Sequence, residues 1–146
     1  MRELCYTAIG TTGALIVSSL GGWDTGIQTL VIFMVIDYVT GLIVAGVFKK
    51  SKKSENGTLN SHAGYKGVIK KGMMLLMVLI AYRLDSVIGW DFVRHAVVIA
   101  FLINELISIL ENAELMGVPI PHVFQKIIDI LKKKGEEDEN NTKTKS

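Results

Sequence analysis

Asp37 is the only formal charge in an apolar run from Thr25 to Phe48. At about 1.5 Å per residue the run spans roughly 36 Å as a helix, more than the roughly 30 Å of a bilayer core. A carboxylate at that depth costs several kcal/mol, so it faces a partner helix or a water-filled cavity. A soluble core helix also accommodates one aspartate. Three further apolar segments argue instead for a membrane protein.

Nearly half of the 146 residues are hydrophobic (49%) and only 21% are charged, with the apolar residues in long blocks. That distribution suits membrane spans. Hydropathy places four of them at residues 4–23, 25–48, 68–90 and 92–110. The first, rich in Ala, Gly, Thr and Ser, is the weakest. A cleaved signal peptide is its alternative, but Met1-Arg2-Glu3 carries no net positive side-chain charge and no clean small-x-small cleavage site precedes Trp23. The fold class expected is an all-α integral membrane protein. Three to four transmembrane helices, drawn as two hairpins, occupy residues 1–117, with an amphipathic helix at 118–134 and a disordered polar tail at 135–146. Cys5 is the only cysteine, which excludes an intrachain disulfide.

Orientation follows from the lysines. Residues 49–67 form a polar loop with Asn56-Gly57 and Asn60-Ser61 turn signals. Lys49, Lys50, Lys52, Lys53, Lys66, Lys70 and Lys71 stand against Glu55 alone, whereas residues 21–28 contain no Lys or Arg. The positive-inside rule places this loop in the cytoplasm and, with four spans, both termini too. Lys132-Lys133-Lys134 agrees with that placement. Lys49, Lys50, Lys52, Lys53, Lys70 and Lys71 are therefore read as setting topology and touching anionic lipid. Gly22-Trp23-Asp24 recurs as Gly89-Trp90-Asp91, one copy at each outer turn, with Trp at interface level. Thirteen residues beyond each aspartate lie Asp37 and Asn104, the latter beside Glu105, which sets these polar groups at similar depth.

Helical spacing then groups the candidate functional residues. Asp37, Gly41 and Ala45 share one stripe with Thr40 adjacent, and Asn104, Glu105, Ser108, Glu111 and Asn112 form a second polar stripe. Thr7, Thr11, Ala14 and Ser18 form a third, in the first span. Small residues let membrane helices approach and polar ones bond across the contact. These faces either pack within one bundle or meet other copies and line water. No cation is evident at the depth of Asp37 and Glu105, so the acids are expected to be protonated or hydrated. Arg83 and Asp85, two apart, point to different sides of their helix; Arg83 is free to snorkel outward or to pair with Asp91.

Beyond Gly117-Val118-Pro119-Ile120-Pro121, a stop signal, Ile120, Val123, Phe124, Ile127, Ile128 and Leu131 define an amphipathic face. That helix suits the inner leaflet or a neighbouring copy equally. Acidic and polar residues from Gly135 read as a solvated tail. His62, His95 and His122 lack ligand spacing, and no nucleophile elbow or phosphate loop occurs. No enzyme activity, metal, cofactor or nucleic-acid partner is therefore expected.

Three stretches together resemble the toxin-secretion and phage-lysis holins of Gram-positive hosts. They are Asp37-Tyr-Val-Thr40-Gly41-Leu-Ile-Val-Ala45, Leu59-Asn-Ser61-His-Ala-Gly64-Tyr-Lys-Gly67-Val-Ile-Lys70-Lys71, and Asn104-Glu105-Leu-Ile-Ser108-Ile-Leu-Glu111-Asn112 followed by Gly117-Val-Pro119-Ile-Pro121. The resemblance implies a phage-encoded, non-enzymatic protein that accumulates in the bacterial inner membrane, forms homo-oligomers and opens a lesion. The lesion would release an endolysin or export a toxin. A small channel or transporter subunit is one alternative, and a membrane scaffold binding a partner through residues 120–131 is another.

Overall fold

A computed structural model describes residues 1–53, 55–58 and 60–143 of the chain. Leu59 and residues 144–146 of the expected tail lie outside the described residues. Five α-helices follow one another: α1 (Arg2–Ser19), α2 (Thr25–Ile43), α3 (Ser61–Ile88), α4 (Val93–Leu115) and α5 (His122–Lys143). A π-helical turn, Val44–Phe48, prolongs α2.

Local chemistry sets the helix ends. Asp24, in extended conformation, caps α2 by accepting from the Ile27 N–H at 2.9 Å. Asn60 likewise accepts from the His62 N–H at 2.9 Å and starts α3. This start lies seven residues before the expected boundary and absorbs the end of the polar loop. Gly89, at φ 79°, ends α3 in the left-handed conformation that glycine tolerates. Pro119 and Pro121 hold off α5 until His122. Once begun, α5 runs through Lys143, so residues 135–143, expected as a disordered tail, are helical. Extending an existing helix costs little compared with nucleating one. Helix α4 likewise continues to Leu115, five residues beyond the expected end.

Helices α2, α3 and α4 form the packed unit, with α4 against both others. Their shared core contains Leu20, Ile27, Leu30, Met34, Met74, Val78 and Val98. Helix α5 folds back on α4 of the same chain. A Cβ at Gly135 would lie 3.8 Å from Ile99 Cγ2. The sequence suggests the inner leaflet or a neighbouring copy for this helix, and the α4 flank takes it instead. Helix α1 contributes no buried residue. Its Thr7 and Thr11 hydroxyls donate to carbonyls of their own helix, at 2.8 Å to Glu3 O and 2.9 Å to Thr7 O.

Among the described residues two helices are long and apolar enough to cross a membrane: Thr25–Phe48 and Val93–Leu115. Only 28% and 22% of their most apolar stretches are buried. A soluble core helix would be mostly enclosed, whereas these expose Ile32, Val35, Val39 and Ile107. The expected spans at 4–23 and 68–90 fall on α1 and α3, which do not meet that standard. Helix α3 carries Lys66, Lys70, Lys71, Arg83 and Asp85 among its apolar residues.

Candidate functional site: a buried acid cluster beside a lysine-lined cavity

Asp37 on α2 and Glu105 on α4 each stand twelve residues into their helices, about 18 Å from the α1–α2 and α3–α4 turns. Both are almost fully buried, at 3% and 2% exposure. Lys71 of α3 joins them. Its Nζ donates to Asp37 Oδ2 at 2.8 Å and to Glu105 Oε2. The other Asp37 oxygen accepts from Ser108 Oγ at 2.5 Å and from Asn112 Nδ2 at 3.0 Å. Asn112 also donates to Thr40 Oγ1 at 2.9 Å. Lys53, from the loop and half-exposed, holds its Nζ 3.7 Å from Asp37 Oδ2. Among the described residues no buried side-chain nitrogen or oxygen lacks a hydrogen-bond partner.

This arrangement corrects the expectation that the two acids lack a cation. The reason is geometric. With α3 starting at Ser61, Lys71 lies ten residues into it, about 15 Å from its start. Asp37 lies eleven residues, about 16 Å, before Phe48, so the two meet at one depth. A span drawn from residue 68 puts Lys71 at the mouth instead. The expected lipid contact of Lys71 is corrected too, because its side chain is 16% exposed and paired. Lys49, Lys50, Lys52 and Lys70 are exposed.

The cluster forms one wall of a cavity of about 510 Å³ between α2, α3, α4 and the 49–60 loop. Of the residues singled out from the sequence, Asp37, Gly41, Ala45, Asn104, Glu105, Ser108 and Glu111 line it. Thr40 and Asn112 lie behind Asp37, bonded to it or to each other. The two polar stripes therefore meet each other within one chain. A Cβ at Gly41 would stand 3.8 Å from Asn112 Nδ2 and 3.9 Å from Lys53 Nζ. Sequence reasoning missed Lys71 as the bridging cation and Lys53, Asn60 and Tyr38 as lining residues. The Asn60-Ser61 cap was the available signal for Lys71, since it sets where α3 begins.

A second buried charge cluster closes the opposite end. Asp85 of α3 caps α4 by accepting from the backbone N–H groups of Val93 at 3.1 Å and Arg94 at 2.8 Å. The Arg94 side chain then crosses to the α1–α2 turn. It donates from Nε to Leu20 O at 2.6 Å and from Nη1 to Asp24 Oδ2 at 2.6 Å. The hydrogen bond from Arg94 is the main reason that the Asp24 carboxyl titrates below the usual carboxylate range. The two Gly-Trp-Asp turns are not equivalent: Asp24 of the first caps the helix that follows it, whereas at the second the cap of α4 comes from Asp85 of α3 and not from Asp91. Arg83 is exposed, and Arg94 is the arginine at this end that holds an acid.

Sequence comparison agrees with this picture of a small membrane-type bundle. The pattern of the bacteriophage holin family matches residues 14–133. An uncharacterized protein of Listeria monocytogenes is 39% identical over 128 residues, covering 87% of this chain and 86% of its own. An uncharacterized 14.9 kDa protein from the nagH 3′ region of Clostridium perfringens is 36% identical, covering 86% and 91%. A protein of Bacillus phage phi105 described as a probable holin is 29% identical over 119 residues, covering 81% and 78%. No solved structure matches. With the family pattern covering most of its length, the chain belongs to the bacteriophage holin family, a family of non-enzymatic proteins that permeabilise membranes.

Proposed function

We propose that this chain is a holin that oligomerises in the bacterial inner membrane and opens lesions through which an endolysin, or a secreted toxin, leaves the cell. The observation that carries the reading is the buried Asp37–Lys71–Glu105 cluster beside a cavity, set in helices that leave most of their apolar surface uncovered. In the dispersed protein Lys71, with Lys53 nearby, offsets the charge of the two acids, so no bare charge meets lipid. At high surface density the exposed apolar faces of α2 and α4 pack against other copies. Water then enters the cavity and hydrates Asp37, Glu105 and Lys71 separately. Separation of hydrated charges stabilises the open state, so opening in one protomer favours opening in the next.

The proposed topology has four spans, on α1 to α4, with the lysine-rich loop and both termini in the cytoplasm. Lys49, Lys50, Lys52 and Lys53 support this orientation. In a Cys5→Ser background, cysteines at Asn56 and Asn140 should resist a membrane-impermeant thiol reagent in intact cells, while one at Asp24 should react. Reaction at residue 56 would reverse the orientation, and protection at residue 24 would remove α1 as a span. The functional test is induced expression in bacteria with and without a co-expressed endolysin. Abrupt lysis is expected only with both proteins. Lysis by the endolysin alone at the same rate would contradict the holin role.

A further inference from the structure

Two of the three acids that line the cavity, Asp37 and Glu105, are already paired, both with Lys71, whereas among the described residues the exposed Glu111 and two further α3 lysines are not. Asp37 and Glu105 bind Lys71, and Asp37 also accepts from Ser108 and Asn112. Lys66 and Lys70 line the same cavity, are exposed and, among the described residues, take part in no ion pair. They are one helical turn apart on α3, so both ammonium groups reach the same space. Between them Gly67 leaves that wall open, since a Cβ there would meet no atom within 4 Å. The cavity of about 510 Å³ exceeds what water alone would need to fill a packing defect. Leu42 and Ala45 of the apolar run line it, and Leu42 is exposed, as are Ile43 and Val47 in the next turn of the same run.

Free cations over a polar cavity, with an apolar flank alongside, suit an anion that carries hydrocarbon. We propose that the cavity holds the phosphate headgroup of one anionic phospholipid, gripped by Lys66 and Lys70, with its acyl chains along the Leu42–Ile43–Val47 flank. This rests on reading the chain as a membrane protein. Bound there, the lipid adds a negative charge within reach of Lys53 and Lys71. It would compete with Asp37 and Glu105 for those lysines, so lipid binding weakens the pairing that keeps the acid cluster closed.

The test uses the purified full chain in a neutral detergent, offered equal amounts of phosphatidylglycerol and phosphatidylcholine and examined by native mass spectrometry. One phosphatidylglycerol per protomer should be retained in preference to phosphatidylcholine. Each juxtamembrane lysine strengthens binding to anionic lipid about fivefold, so Lys66→Gln/Lys70→Gln should lower retention by more than about tenfold. Lys133→Gln/Lys134→Gln removes the same charge on α5, away from the cavity, and should change retention by less than about twofold. Equal retention of the two lipids, or equal loss in the two double variants, overturns the site. Displacement of the lipid by millimolar inorganic phosphate would show that a free anion is the occupant and overturn the lipid assignment. Membrane fractionation and lysis timing of the same variants are separate readouts, so a chain that inserts and lyses but shows no lipid preference refutes the site and leaves the holin reading intact.

Discussion

The two ends of the bundle bury charge in opposite ways. At the turn end, Arg94 bonds to Asp24 and to the Leu20 carbonyl, while Asp85 takes two backbone N–H groups of α4. Most of these partners are backbone groups in tight turns, and Gly21, at φ 86°, would bring a Cβ within 2.7 Å of Arg94 Nε. At the loop end, two carboxylates share Lys71, a long flexible side chain, beside a cavity. The turn end is a clamp with one geometry. The loop end is a set of charges that water can separate. On the proposed mechanism the first end supplies stability and the second the switch.

Arg94→Met tests the clamp and carries the largest expected effect. It leaves the buried Leu20 carbonyl without its donor, at about 1–3 kcal/mol, and the half-exposed Asp24 without its cation, at under about 1 kcal/mol more, besides the packing lost with the buried arginine stem. Thermal unfolding in detergent should drop sharply, and the protein should accumulate poorly in membranes. Normal accumulation with altered lysis timing would erase the distinction between the two ends.

Gly41→Leu has an intermediate effect. The new side chain would press on Asn112 and Lys53, and overpacking of this kind costs about 1–3 kcal/mol. The loss should appear as lower thermal stability of the single protomer, with crosslinked oligomers still forming, because this face meets α4 of the same chain. Val39→Ala, on an exposed face, serves as control. Loss of crosslinking without loss of stability would mean that the Asp37–Gly41 face meets another copy.

The smallest effect belongs to Asp24→Asn. Asparagine caps a helix about as well as aspartate, so only the ion pair to Arg94 is lost. The Asp24 side chain is 43% exposed, which limits the loss to under about 1 kcal/mol after solvent screening. Because the folded carboxyl titrates below its unfolded value, its stabilisation is present above about pH 4 and disappears as pH falls through the lowered value. Unfolding curves of wild type and Asp24→Asn should therefore differ at pH 6 and converge in stronger acid. A constant difference over that range would contradict the pairing.

Helical periodicity made the loop-end cluster readable, because Asp37, Gly41 and Ala45 on one helix and Glu105, Ser108 and Asn112 on another keep regular spacing. Their cation was hidden, since the depth of Lys71 depends on a helix start ten residues away at Asn60-Ser61. The clamp left even less trace. Arg94 meets Asp24 across 70 residues of chain, and its reach depends on the left-handed turn at Gly21. The path of α5 was unreadable for a related reason. An amphipathic face states that a helix needs an apolar partner but does not name it, and here the partner is the α4 flank beside Ile99.

The central claim, that Lys71 holds the acids closed and that their ionised forms stabilise the open state, predicts changes of opposite sign. Lysis onset should be recorded after induction with a co-expressed endolysin, for Lys71→Met and Asp37→Asn at equal membrane levels. Lys71→Met leaves two buried carboxylates without their shared cation, so lysis should begin earlier and at lower protein density. Asp37→Asn keeps shape and hydrogen bonding, leaves Lys71 paired with Glu105, and should delay or abolish lysis; Glu105→Gln should delay it less. Shifts in the same direction for Lys71→Met and Asp37→Asn, or no shift in either, would contradict the account.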